Sequence, residues 1–227
     1  FYSHMGLESW ASKDNPTYTR SLVADYSPYY SAGVRATWQA APSLVARLDV
    51  VNGWQNVSES NGDKGVGARL DWTAARGATL TWYGFVNGEA GGRRRLFNGV
   101  GARLVAGGTT FLGELDLGTL EAADAGDNAS TWYGLTAVVR QRLTPAVSVA
   151  ARVERYDDAD QVNVVTGMAS PFRGNGASLG VDVAPAPGLL WRTEARGFVA
   201  GDAVFPDGRD APRRSGGFVV TSLAVSF

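Results

Sequence analysis

Residues 216–227 read GGFVVTSLAVSF. Side chains alternate along an extended chain, so Val219, Leu223, Val225 and Phe227 fall on one side and Ser222, Ala224 and Ser226 on the other. The stretch is a strand with one face toward something oily and one toward something small or wet. If this is the grammar of the last element, earlier elements should repeat it, and function should lie on the wet faces and in the connections.

They do repeat it. Residues 29–39 set Tyr30, Ala32, Val34, Ala36 and Trp38 against Gly33, Arg35, Thr37 and Gln39, and residues 44–52 set Leu48 and Val50 against Arg47 and Asp49. Residues 1–10 place Met5 and Leu7 opposite His4, Gly6 and Glu8 and read as a rising strand. Residues 11–28 are long, polar and interrupted by Pro16 and Pro28, a loop with room for some order at 21–26. Further strands are expected at 65–73, 78–86, 95–105, 109–120, 130–143, 147–156, 176–184 and 189–199. The count is about twelve. Tight turns at 40–43, 74–77, 106–108, 144–146 and 185–188 alternate with long loops at 53–64, 87–94, 121–129, 157–175 and 200–215, so all short connections share one end of the assembly. A hexapeptide, GVGARL, occurs at 65–70 and again at 99–104, which reads as repeated hairpin grammar, since the spacing between copies follows no solenoid period.

Composition narrows the function classes. Net charge is −1, with no basic tail or acidic block, so no nucleic-acid partner is indicated. The absence of cysteine removes disulfides, thiol catalysis and zinc–thiolate sites. No apolar run reaches the roughly 18 to 20 residues of a membrane helix, but a barrel strand is apolar only at alternate positions and escapes that test.

Sorting each strand by its alternation gives an oily face that includes Leu48, Val50, Leu70, Trp72, Leu80, Trp82, Leu104, Leu115, Leu117, Leu135, Val149, Val153, Leu179, Val181 and Trp191. The opposite face carries Arg35, Arg47, Asp49, Arg69, Asp71, Arg103, Glu114 and Asp116 in the first half of the chain. In the second half it carries Arg140, Arg152, Glu154, Asp182, Arg192, Glu194 and Arg196. In a soluble sheet these charges would be a solvated face, but the oily face would then need a cover, and no amphipathic helix is present to supply it. A closed sheet in lipid with the charges inside leaves no unpaired edge. Trp38, Trp72 and Trp191 near the short turns, and Trp10, Trp132 and Tyr133 near the long loops, are expected to form two aromatic girdles.

The fold class is therefore all-β: a transmembrane, antiparallel, up-and-down β-barrel forming one domain over residues 1–227, with its termini on the side of the short turns, which is periplasmic in such barrels. Strands about 4.8 Å apart and tilted roughly 40° give twelve of them a backbone radius of around 12 Å, so a lumen this charged is narrow. Pairs such as Arg47 with Asp71 and Arg69 with Asp49 either neutralise a filled interior or, if unequally distributed, set a field across a pore.

A terminal strand ending in phenylalanine resembles the close of bacterial outer-membrane barrels. More specifically, Arg20-Ser21, Pro28-Tyr29-Tyr30, Gly33-Val34-Arg35 and Val51-Asn52-Gly53-Trp54, with Gly6-Leu7-Glu8 upstream, resemble the OmpL-like β-barrel porin family of Gram-negative bacteria. Ser31 stands where that family often has histidine. Family members carry additional strands before the segment matching Phe1, which implies that this chain is the carboxy-terminal part of a barrel of about sixteen strands. The resemblance implies an outer-membrane porin, with outer-membrane lipid and lipopolysaccharide around it and small hydrophilic solutes passing through it.

Other motifs carry little. The GVG pieces lack the strand, turn and helix context of a nucleotide site. His4 is the only histidine, so neither a transition-metal site nor a serine triad is expected, and a wall or rim position suits it. Asp157, Asp158 and Asp160 lack the glycine and distal glutamate of a calcium loop. Arg93, Arg94 and Arg95 read as a solvated rim, with a cationic patch toward lipid phosphates or anionic solutes as the alternative. The expectation is a non-enzymatic channel with no cofactor and no metal, and with Glu8 and the fifteen charges named above as pore-lining residues. The alternative is a plugged barrel acting through its loops.

Overall fold

The computed structural model describes residues 1–59, 61–74, 77–88, 92–124, 126–207 and 211–226. Among the described residues, eleven antiparallel strands form one sheet in chain order: β1 (Gly33–Ala41), β2 (Leu44–Val51), β3 (Gly65–Ala74), β4 (Ala78–Gly88), β5 (Arg94–Ala106), β6 (Thr109–Leu120), β7 (Ser130–Arg142), β8 (Val147–Asp158), β9 (Phe172–Ala186), β10 (Leu189–Ala200) and β11 (Ser215–Val225). Each strand pairs only with its sequence neighbours, the up-and-down order expected when every connection is a hairpin. Two-residue turns such as Gly107-Gly108 and Pro187-Gly188 join strands at one end, with Gly107 and Gly188 at φ of 59° and 76°, a left-handed conformation that glycine adopts without a Cβ clash.

One strand is missing from the expected twelve. Residues 1–10 make only an isolated bridge, Tyr2 to Tyr30, and do not join the sheet. Met5 and Leu7 alternate as a strand should, but Gly6 takes a φ of 79° and the chain turns inward across the concave face. Among the described residues β11 pairs with β10 alone and does not close onto residues 1–10, and Phe227 lies outside the described residues. Both β1 and β11 run from the long-loop end to the short-turn end, so the two ends of the sheet do not both lie at the short turns.

The molecule is packed inside out. The expected oily positions point away from the concave face and are open: Leu117, Val153, Leu179 and Trp191 expose about half or more of their surface. Aliphatic and tryptophan side chains at that exposure suit lipid, not water. The tight packing is on the concave side, where Met5 and Val23 from residues 1–31 meet Tyr83, Phe85, Phe97, Trp132 and Tyr156 of the strands. Trp132 therefore leaves the outer girdle assigned to it; it is fully buried inside, while Trp38, Trp72 and Trp191 do face outward.

The GVGARL repeat acquires a physical meaning here. Its glycines at positions 67 and 101 face inward, and a Cβ at Gly67 would come within 2.1 Å of the His4 ring, one at Gly101 within 2.5 Å of Leu7. Glycine at these wall positions lets the inner segment lie directly on the backbone.

Candidate functional site

Residues 1–31 cross the concave face with little secondary structure of their own: one turn of 3-10 helix at Ser12–Asp14 and one turn of α-helix, α1 (Leu22–Asp25), capped by the Ser21 hydroxyl, which accepts from the Ala24 amide. A chain of this kind carries backbone N–H and C=O groups that must find partners wherever water is excluded. The wall charges supply them.

Carboxylates accept the amides. Glu114 Oε2 accepts from Leu7 N at 2.8 Å, Glu154 Oε2 from Leu22 N at 2.7 Å, and Glu194 Oε2 from Thr19 N at 2.7 Å. Arginines donate to the carbonyls. Arg69 Nη1 reaches His4 O at 2.8 Å and Gly6 O at 2.7 Å; Arg152 Nη1 reaches Thr19 O at 2.7 Å; Arg192 binds the carbonyls of Ser12, Asn15 and Pro16. Within the segment, Glu8 folds back so that its Oε2 accepts from the amide and hydroxyl of Ser21 at 2.8 and 3.2 Å.

The same charges pair with one another. Arg152 sits fully buried between Glu194 at 2.9 Å and Glu154 at 3.4 Å, and Arg196 approaches Glu154 at 2.8 Å. Arg192 meets Asp182 at 2.8 Å, and Arg140 meets the other oxygen of Asp182 at 2.9 Å. Tyr83 donates to Glu114 at 2.8 Å and also contacts Asp116. The strand register arranges these groups in rows. Asp71, Glu114 and Glu154 share one inward row across the sheet, and Arg103, Arg152 and Arg196 share the next. The signs interleave within the sheet, which favours mutual neutralisation over segregation.

Of the pairings anticipated, Arg47 does approach Asp71, at 3.7 Å, but Asp49 is taken by others. Arg35 grips Asp49 with two bonds of 2.7 Å, and the His4 Nδ1 lies 2.9 Å from it. Arg69 turns to Asp71 at 2.9 Å instead, because it stands directly opposite Arg47 on the neighbouring strand and both arginines share that carboxylate. His4 is neither wall nor rim; it is buried in the inner segment, with Nε2 3.1 Å from Gly84 O.

The structure places all fifteen strand charges on the concave face, in two groups. Asp49, Glu114, Asp116, Arg152, Glu154, Asp182, Arg192, Glu194 and Arg196 are buried. Arg35, Arg47, Arg69, Asp71, Arg103 and Arg140 keep partial or full exposure, and Arg103 has no ion-pair partner among the described residues. Glu8 belongs to the buried group, but on the segment and not on a strand. Its carboxyl is pushed up to about 7, first by burial and then by the neighbouring Glu114, against the amide of Ser21.

Sequence reading missed His4, Thr17, Thr19 and Ser21 as site residues because the segment has no period to reveal which side chains point down. It also misplaced Arg95, whose guanidinium lies 4.7 Å from the Trp54 ring centre and 5.1 Å from that of Trp132, buried rather than on a solvated rim. Arg94 is exposed and pairs with Glu121 at 2.9 Å. Asp158 is a loop anchor, accepting the amides of Val162, Asn163 and Val164 at 2.7 to 2.9 Å.

The model of the family described as "Putative beta-barrel porin-2, OmpL-like" matches residues 1–227, the whole sequence. The chain belongs to that family. Membership of a β-barrel porin family agrees with the lipid-suited outer face described above. No curated protein matches the chain. Among solved structures it is similar to the anion-selective porin from Comamonas acidovorans, with a TM-score of 0.59 and 10% identity over 85% of this chain and 55% of that one. It is also similar to Pseudomonas aeruginosa OccK11 (OpdR), with a TM-score of 0.52 and 16% identity over 86% of this chain and 65% of that one. The OmpL-like chain thus spans between about half and two thirds of the length of these porin-fold structures.

Proposed function

We propose that this chain forms wall and constriction of an outer-membrane diffusion channel for small hydrophilic solutes, non-enzymatic, with the short turns toward the periplasm and lipid or lipopolysaccharide against the outer face. The observation that carries the reading is the division of labour among the wall charges. Residues 1–31 engage most of the buried set, and Asp116 and Asp182 are held by Tyr83, Arg140 and Arg192, so those groups hold a constriction in place instead of meeting solute. What still faces open space toward the short turns is mainly Arg47, Arg103, Arg140 and Arg142, against Asp71 and a mostly covered Asp182. The exposed excess is positive, which favours entry of anions over cations. The fold is one that an anion-selective porin also uses.

The test is the reversal potential across a planar bilayer holding the protein under a salt gradient. The wild type should give stepwise conductance with anion preference, and Arg47→Glu with Arg103→Glu should move the selectivity toward cations. Arg69 is unsuited to this experiment because it also holds the backbone of His4 and Gly6.

A second reading has its own support. The same segment covers much of the concave face, as a plug would. A folded protein that stays electrically silent would favour a closed barrel acting through its long loops, and would sink the channel reading.

A further inference from the structure

The motifs that carried the family resemblance are far apart in sequence, yet several converge at the long-loop end. Arg20 lies over the Tyr29 ring at 3.9 Å, the Tyr29 amide donates to Gln55 Oε1 at 2.6 Å, and Trp54 packs between Phe85, Phe97 and Arg95. Between them opens a cavity of about 340 Å³. Its walls include Asp25, Trp54, Gln55, Arg95 and Asn163.

The lining is unlike a packing defect, which would be apolar and dry. Gln55 spends its carbonyl oxygen on Tyr29 and leaves its amide nitrogen without a protein partner among the described residues; the Trp54 indole N–H is likewise unpartnered there. Asn163 is fixed from both sides, its oxygen accepting from Arg95 at 3.0 Å and its nitrogen donating to Tyr156 at 3.2 Å. Asp25 accepts from the Tyr29 hydroxyl at 2.8 Å. Polar groups held this firmly, beside an indole, are arranged to meet something.

The backbone points to the same place. Among the described residues, Gln55 and Gln161 are the two non-glycine residues with left-handed φ, 63° and 53°. One lines the cavity, and the other closes the turn from Asp158 and directly precedes Val162 and Asn163 at its rim. Strained conformations of this kind persist where surrounding contacts over-determine them, and they concentrate at ligand clamps.

We propose that this cavity is a binding site for a neutral monosaccharide at the long-loop mouth. An aromatic ring next to amide, carboxylate and guanidinium groups matches a pyranose, which presents C–H bonds on its face and adjacent hydroxyls on its edge. Arg95 and Asp25 contribute opposite charges, and the unspent donors on Gln55 and Trp54 are neutral, so nothing in the cavity selects a net charge. The site deepens the channel reading as a first station for solute and rests on that reading for its role; the binding itself does not need an open pore.

The experiment is tryptophan fluorescence of the folded protein in detergent micelles, titrated with glucose, galactose and glucuronate. A neutral hexose should give a saturable change that Trp54→Phe abolishes. Gln55→Ala, which removes the exposed donor together with the exposed bond from the Tyr29 amide and spares the core, should raise the half-saturating concentration by at least about tenfold, the size of one well-made hydrogen bond. Absence of any saturable signal from wild type up to about 100 mM sugar, a concentration that detects even very weak sites, would overturn the proposal. So would Gln55→Ala titrating like wild type, or glucuronate binding more tightly than the neutral sugars. A protein that binds hexose but stays silent in a bilayer would retain this site and sink the channel; conductance without binding would do the reverse.

Discussion

Gly67→Ala should loosen the inner segment without weakening the wall. The added methyl carbon would stand 2.1 Å from His4 Cε1 and 2.5 Å from His4 Nε2, so the ring must retreat by more than an ångström to reach ordinary contact. That retreat breaks the approach of Nδ1 to Asp49 at 2.9 Å and of Nε2 to Gly84 O at 3.1 Å. A hydrogen bond to a charged group is worth about 1.5 to 3 kcal/mol and a neutral one about 1, so docking of residues near His4 should weaken by about 3 kcal/mol. Asp49 keeps Arg35, so no buried charge is orphaned and the loss stays local. Alanine suits a strand better than glycine, and the sheet gains slightly. Hydrogen exchange of the Leu7 amide, which Glu114 holds, reads the opening directly: a 3 kcal/mol loss corresponds to exchange faster by about a hundredfold. Exchange at Leu7 unchanged within about threefold, less than 1 kcal/mol, would refute the claim that glycine at 67 exists to seat the segment.

Glu8 makes the docking pH-dependent. Its buried carboxyl titrates at about 7 against an ordinary 4.5, so below pH 4.5 it is neutral whether docked or free, and docking is strongest. As pH rises from 4.5 through 7, the free carboxyl ionises first; docking weakens by about 3 kcal/mol in total and stays weak above 7. Glu8→Gln should flatten that dependence in protection factors measured at Ser21, and an unaltered pH profile would count against the assignment. Arg152→Met leaves Glu194 buried without its cation, while Glu154 keeps Arg196, and should destabilise the fold by about 3 to 5 kcal/mol, seen as an earlier urea midpoint; a midpoint like wild type would show that Glu194 finds another partner. Asp158→Ala removes the acceptor for three consecutive amides and should speed proteolysis within residues 159–171 by at least about a hundredfold, from roughly 1 kcal/mol or more per orphaned group. Equal cleavage rates would deny Asp158 that anchoring role.

The wall was legible in the sequence because its two solvents are so different. Alternation between lipid and interior leaves a period of two that survives without any homologue, and strands such as Thr109–Leu120 begin and end where the pattern does. Phe172–Ala186 starts four residues early because Gly174 and Gly176 carry no hydropathy signal, although their strand continues through them. The inner segment was illegible for a related reason. Its partners are carboxylates and guanidiniums reaching for backbone, and backbone is the same under every side chain. Met5 and Leu7 imitate a strand, and only the glycines beneath them, at 67 and 101, mark where another chain lies. The charges were legible, but their partners were not: a ladder such as Arg192, Glu194 and Arg196 reads equally well in sequence as pore lining or as a bed for irregular chain.

The direction of the edges constrains how the wall closes. β1 and β11 both run toward the short turns, so bringing them together would create a parallel pair in an otherwise antiparallel sheet. Hairpin-connected strands pair antiparallel, and a hydrocarbon surround tolerates no open edge. An antiparallel wall therefore closes only through an odd number of further strands lying between β1 and β11, whatever supplies them, and the total is even. Cysteines at Ala36 and Val219, outward positions near the middles of the two edge strands, test this. Neighbouring strands lie about 4.8 Å apart and a disulfide spans Cα atoms up to roughly 7 Å, so even one intervening strand puts the pair out of reach. Under oxidation the double variant, folded in the membrane, should stay unlinked within one molecule. A rapid internal disulfide would mean that β1 and β11 meet directly, and the parity argument would fail.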